Sequence, residues 1–219
     1  MDTRERAIKI LKILKKEYRK YQTPVATYFQ DTTKNPFKVL ISTILSARAK
    51  DIQTEKVSKE LFKIADSAEK LAKLDENVLC KVIYSIGFYK IKAQRIKKAS
   101  QFLLENYNGK VPDKLEGLLK IPGVGRKVAS IVLSECFGES VIAVDVHMNR
   151  LPNRMGLIKT KNTLETEKAL MKIYPKKEWK TLNKYFVVYG QNVCVPISPK
   201  CSICPISKLC PKVGVKKSR

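Results

Sequence analysis

Apolar residues recur with the period of an α-helix along nearly the whole chain, and no segment sustains the alternation of a β-strand. In "FKVLISTILS", Leu40, Ile41, Ile44 and Leu45 fall at i, i+1, i+4 and i+5 and make one apolar face. In "NVLCKVIYSIG", Val78, Leu79, Val82, Ile83 and Ile86 do the same, and Gly87 suits a C-terminal cap. "KIKAQRIKKASQFLLENYNG" lines up Ile96, Ala99, Leu103 and Tyr107 and ends in Asn-Gly. "TLETEKALMKIYP", closed by Pro175, and "KEWKTLNKYFVVYGQ" read as further helices. The expected fold class is all-α, with about nine or ten short helices. The stripes are core faces, and the Lys-rich faces opposite are solvated surface. Cys80 and Cys136 sit in apolar helical stretches and read as buried free thiols. His147, the sole histidine, has no second histidine to share a metal with and reads as structural.

A chain of 219 residues makes one large domain or two small ones. It has no long Gly/Ser linker, so two domains would pack closely. Disorder is expected only in the "KVGVKKSR" tail. Lys and Arg number 44 against 20 Asp and Glu, a net charge of +24. So large a charge repels itself unless a polyanion is near, which favours nucleic acid over an anionic membrane. No apolar run reaches the roughly 18 residues of a spanning helix. "MDTRERAIKILKILKKEYRK" is amphipathic and lacks the apolar core of a signal peptide, so a cytoplasmic, nucleoid-associated protein is expected. In a reducing compartment, clustered cysteines are metal ligands rather than disulfides.

Four cysteines lie in "CVPISPKCSICPISKLC": Cys194, Cys201, Cys204 and Cys210, with gaps of six, two and five residues. Four thiolates suit either an iron–sulfur cluster or tetrahedral zinc, although zinc sites usually pair two short knuckles and only one Cys-x-x-Cys occurs here. In "LLKIPGVGRKVASIVLSECFG", Pro122, Gly123, Val124 and Gly125 force a tight turn before a helix that begins near Arg126. Amides at such a turn form an anion site, though an ordinary helix–helix turn has the same residues. Lys127 lies in the first turn of that helix. The positive end of the helix dipole, the Arg126 guanidinium and partial burial would all disfavour an ammonium there, which suits a nucleophilic amine. An apolar run then ends at Asp145, which reads as an N-cap carboxylate and, compatibly, as a partner for positive charge on a sugar ring.

"IPGVGRKVA", then "AVDVH", then the six-two-five cysteine spacing resemble the endonuclease III family of helix–hairpin–helix DNA glycosylases, over about Pro36 to Cys210. The resemblance implies a two-lobed α-helical fold with DNA bound in the groove between the lobes. One is a six-helix barrel carrying the hairpin, residues 29–139; the other is built from residues 1–28 and 140–219. It implies a [4Fe–4S] cluster on the four cysteines of loop 194–210, structural in role. It implies that Lys127 is the nucleophile and Asp145 the catalytic aspartate of a bifunctional glycosylase/AP lyase. Such an enzyme removes oxidised pyrimidines through a Schiff base and cleaves by β-elimination. The expected partner is double-stranded DNA with damaged bases or abasic sites, bound by a monomer with no membrane association. Phosphate contacts fall to residues 122–126 and to Lys200. Two positions depart from the family: Arg48 stands where glutamine usually fills the gap left by the extruded base, and Phe88 where a leucine wedge is common. Phe88 could instead pack in the core. The rival functions are a mismatch glycosylase without lyase chemistry and a non-catalytic DNA-binding module with a structural zinc.

Overall fold

The computed structural model of the protein describes residues 1–21 and 35–219, apart from the Asp51 side chain. Eleven α-helices and no strand occur among these residues. They are α1 (Thr3–Tyr18), α2 (Pro36–Ser46), α3 (Asp51–Ile64), α4 (Ala68–Lys73), α5 (Glu76–Val82), α6 (Tyr89–Tyr107), α7 (Leu115–Lys120), α8 (Arg126–Cys136), α9 (Val146–Arg154), α10 (Thr163–Ile173) and α11 (Trp179–Asn192). The chain divides into two compact units, one of Met1–Thr23 with Ser140–Arg219 and one of Pro24–Glu139. The boundary expected between residues 28 and 29 lies outside the described residues.

In the middle unit, α2 starts where Asn35 accepts hydrogen bonds from the amides of Phe37 and Lys38, with Pro36 pre-set for the first turn. Its stripe of Val39, Leu40, Ile41, Ile44 and Leu45 is buried, and it packs on α8, α3 and α6. Helix α6 is stopped by Asn108 and Gly109, both left-handed at φ 50° and 75°, with the Gly109 amide donating to the Leu103 carbonyl at 2.9 Å. Helix α5 ends at Val82, so Gly87 lies in the following loop and caps nothing, and Val78 faces solvent. Cys80 and Cys136 are free thiols but only half-buried, because each sits at the edge of its helix's packed face.

The other unit gathers α1, α9, α10 and α11 around one core. Asp2 and Glu5 form a reciprocal cap at the start of α1. Ile10, Leu11 and Leu14 of α1 then pack with Met148, Leu151, Leu170, Phe186 and Tyr189. The tail expected to be disordered is tied down instead. The amide of Val213 donates to the Arg154 carbonyl at 2.9 Å, and Arg219 bridges the Pro199 carbonyl and the Ser202 amide. The backbone finds partners there that composition does not reveal.

Candidate functional site

The hairpin of the middle unit is built by glycine and apolar anchors together. Leu118, Ile121 and Val124 are buried. Gly123 turns the chain at φ 82°, a left-handed conformation that L side chains rarely adopt, and its face lies on the stem of Arg95. Gly125 is the N-cap of α8 and gives the helix no side-chain cap. A Cβ there would meet nothing within 4 Å, so the missing side chain leaves room for an outside ligand rather than for a packing neighbour. Among the turn residues expected to hold phosphate, Val124 differs from the rest. Its side chain is buried and its amide already donates to the Ile121 carbonyl at 3.0 Å. Pro122 and Arg126 are half-buried and Gly123 is exposed.

Lys127 follows in the first turn of α8 and is exposed rather than partly buried. The helix turns Ala129, Ser130, Val132 and Leu133 inward, and Lys127 lies off that face. In the same unit Arg48 and Phe88 meet. Both have positive φ, 54° and 61°, and the Arg48 guanidinium lies 6.0 Å from the centre of the Phe88 ring. Phe88 is 59% exposed, which removes the reading that it packs in the core. Two non-glycine residues held in a sparsely populated conformation, side by side and solvent-facing, fit a site that spends backbone strain on function.

In the other unit, Asp145 is the half-buried N-cap of α9, and its Oδ1 accepts from the amides of His147 and Met148, each at 2.9 Å. The first turn of α9 is clamped against α11. His147 packs so close to Gly190 that any Cβ there would collide with its ring. Arg150 donates to the carbonyls of Gly190 (3.0 Å) and Cys194 (2.9 Å) and lies 3.2 Å from Nδ1 of His147. Asn183 holds the approach to Asp145 by donating to the Ala143 carbonyl at 2.7 Å. His147 is thus structural, as the lack of a second histidine implied.

Cys194, Cys201, Cys204 and Cys210 line one small pocket with Tyr189, Val193, Ile206 and Val215. All four are free thiols. Burial pushes the thiols of Cys204 and Cys210 up, so ionising them calls for a cationic metal at that spot. Among the described residues, no three His, Cys, Asp or Glu side chains are grouped closely enough for a single metal ion. Four thiols around a shared pocket supply the donor set of an iron–sulfur cluster. Arg154 braces the loop through the Val195 carbonyl at 2.7 Å and reaches Sγ of Cys194 at 3.6 Å. Lys200 is half-buried and stands between Cys194 and Cys201 in sequence. Sequence reasoning missed Arg150 and Arg154, whose i,i+4 spacing in "NRLPNR" marks one helix face but not what that face holds.

Residues 41–176 match the HhH-GPD superfamily base excision DNA repair protein family, and residues 194–210 match the iron–sulfur binding domain of endonuclease III. Endonuclease III of Thermotoga maritima is 46% identical over 176 residues, 80% of this chain and 83% of that one. Endonuclease III of Synechocystis is 37% identical over 209 residues, 95% and 93% of the two chains. The solved structure of a trapped endonuclease III–DNA covalent intermediate, an estranged-adenine complex, superposes with a TM-score of 0.85 at 36% identity, covering 97% of each chain. No helix among the described residues is long and apolar enough to cross a membrane.

Proposed function

We propose, from the premise that this chain belongs to the endonuclease III family of the HhH-GPD base excision DNA repair superfamily, that Lys127 is its nucleophile and Asp145 its catalytic carboxylate. The chain is a DNA glycosylase/AP lyase, its partner is DNA, and its four clustered cysteines hold a [4Fe–4S] cluster. The zinc-holding binding module gives way to that assignment. The observation that carries the residue roles is local. Lys127 stands in the first turn of the helix that leaves a glycine hairpin, and Asp145 is fixed at the start of another helix by two amides.

The damaged nucleotide leaves the stack at a cost of a few kcal/mol, least where stacking is already poor. The Lys127 amine attacks C1′ of its sugar, and the base departs with the electrons of the glycosidic bond. Asp145, its carboxylate oriented by the amides of His147 and Met148, stabilises the positive charge that develops on the sugar. The amine then gives up a proton and the C1′–O4′ bond opens, O4′ leaving as the ring-opened hydroxyl, and the resulting imine acidifies the C2′ proton. Its loss pushes electrons toward C3′ and expels the 3′ phosphate, breaking the strand.

Oxidised pyrimidines in duplex DNA, and abasic sites, are the proposed substrates. The hairpin residues Pro122, Gly123, Gly125 and Arg126 and the loop residue Lys200 meet backbone phosphates, while Arg48 and Phe88 enter the gap left by the extruded base. Their exposure and mutual stacking support that role. A charge of +24 keeps copies apart and supports action as a monomer in the cytoplasm, alongside the nucleoid. Borohydride added during incubation with thymine-glycol duplex tests the assignment. Wild type should be trapped on DNA and Lys127→Ala should not; an adduct that survives in Lys127→Ala rejects the nucleophile. The trapped relative among the solved structures shows that such an adduct forms in that protein.

A further inference from the structure

The last acidic residue is Glu178. From Trp179 to Arg219 the sequence holds eight Lys and Arg and no Asp or Glu. Half of those cations lie in the tail: Lys212, Lys216, Lys217 and Arg219, all exposed. A run of charge is ordinarily a loose, solvated end. This one is fastened at both ends. The amide of Val213 donates to the Arg154 carbonyl at 2.9 Å, and that of Lys212 reaches Sγ of Cys210 at 3.4 Å. At the far end, the Arg219 amide donates to the Pro199 carbonyl at 3.0 Å and the Ser202 amide donates to the Arg219 carbonyl at 3.1 Å. Between these anchors Val215 turns into the pocket that the four cysteines line. The backbone is therefore fastened at Lys212, Val213 and Arg219, while the four charged side chains are exposed. None of the ion pairs formed among the described residues involves these four.

The anchor also sets where the tail lies. Arg154 ends α9, and Asp145 is the N-cap of that helix. Nine helical residues at about 1.5 Å each put the tail's first anchor roughly 14 Å from Asp145 along the helix. Duplex DNA advances about 3.4 Å per base pair along each strand, so that span corresponds to at most about four base pairs. A duplex engaged at Asp145 can thus bring phosphates past the tail within half a turn.

We propose that residues 212–219 form a fixed arm of the DNA-binding surface, gripping duplex phosphates within a few base pairs of the extruded nucleotide. The proposal rests on the reading that Asp145 acts at that nucleotide. Because the arm is already ordered, its four cations bind without the entropy loss of ordering a loose tail. Such contacts carry no sequence information, so the arm adds affinity for any duplex.

The test is binding of an undamaged duplex to the cluster-loaded full chain across a series of salt concentrations. In Lys212→Gln/Lys216→Gln/Lys217→Gln/Arg219→Gln the backbone anchors remain, and retained visible absorbance of the cluster checks the fold. Affinity at low salt should fall at least about 10²-fold, and the slope of log K against log salt should become shallower by about 3. The charge-conserving set Lys212→Arg/Lys216→Arg/Lys217→Arg/Arg219→Lys should bind as wild type. Unchanged affinity and slope in the Gln set overturn the proposal. So does an equal loss in Lys9→Gln/Lys12→Gln/Lys16→Gln on α1, which would mean that only total charge counts. The borohydride trap is scored separately on wild type, so failure of the catalytic assignment and failure of the arm are distinguishable.

Discussion

The two helices that carry the proposed catalytic residues start in opposite ways. Helix α8 opens on Gly125, which provides no side-chain cap, and Lys127 follows in the first turn. Helix α9 opens on Asp145, whose carboxylate takes two amides of its own helix. The first start is open: a turn shaped by glycine, with space where a side chain would stand. The second is closed, pinned by His147 against Gly190 and by Arg150 against the carbonyl of a cluster cysteine. A nucleophile needs reach and access, and Lys127 is exposed. A charge-stabilising carboxylate needs fixed orientation, and Asp145 gets it from the amides of His147 and Met148.

The largest effect that follows is loss of covalent chemistry at the open start. Lys127→Gln should give no borohydride adduct and no strand cleavage, measured by denaturing gel, while still binding duplex. Retained cleavage would move the nucleophile elsewhere. Next comes the closed start, where cap and proposed catalyst are the same group. Asp145→Asn keeps an N-cap residue, since asparagine caps as well as aspartate, and so should melt close to wild type. Base removal under single-turnover conditions should nonetheless fall about 10²- to 10³-fold. Asp145→Ala should lose the same activity and about 1 kcal/mol of stability besides. If both variants removed bases as fast as wild type and differed only in melting, Asp145 would be a cap and nothing more.

Gly190 and Gly123 sharpen the contrast at the level of stability. Gly190→Ala would drive a Cβ into the His147 ring and force α9 away from α11. Overpacking of this kind costs about 1–3 kcal/mol, and the shift should lower the rate of base removal because it moves the cap that Asp145 provides. Gly123→Ala meets only the Arg95 stem at 3.4 Å but must hold φ 82°, a strain of about 1–2 kcal/mol. Its loss should appear chiefly in duplex affinity. Urea melts paired with single-turnover rates and filter binding separate the two outcomes; affinity loss in the first and rate loss in the second would invert the comparison.

The open half was legible in the sequence because its signals are contiguous. "IPGVGRK" contains the turn, the helix start and the lysine within seven residues, and the same holds for Asp145 before "VHM" and for the cysteine spacing. The closed half was not, because its parts come from far apart in the chain. Arg150 meets Gly190 and Cys194, Arg154 meets Val195, and the tail returns to Arg154 and Pro199. Periodicity says that a face is packed or polar but not which distant carbonyl it serves. The misreadings in the middle unit share one cause. Gly87, Val78, Cys80, Cys136 and the exposed Lys127 were judged from neighbours in sequence, while tertiary packing decided which side chains turn inward.

The smallest predicted effect concerns a residue outside both starts. Lys92, on α6, is only 3% exposed, and its Nζ has no hydrogen-bond partner among the described residues. Burial first, and the Arg95 guanidinium second, push its ammonium below the usual lysine range. The folded chain therefore holds that proton less tightly than the unfolded chain does. The cost is fully present at neutral pH, where both states are protonated. As pH rises through the lowered folded value, the unfolded state binds more protons, and this group's contribution to stability increases with pH. Lys92→Met fills similar space without a charge to desolvate, so it should stabilise the fold by about 1 kcal/mol near neutrality. That gain over wild type should shrink in alkaline solution, where the wild-type amine is already neutral. Urea melts of both chains at neutral and alkaline pH check the sign. A destabilised Lys92→Met would mean that the amine supports the fold through a contact worth more than its desolvation, and the middle unit would then rest on a buried charge much as the other rests on Arg150.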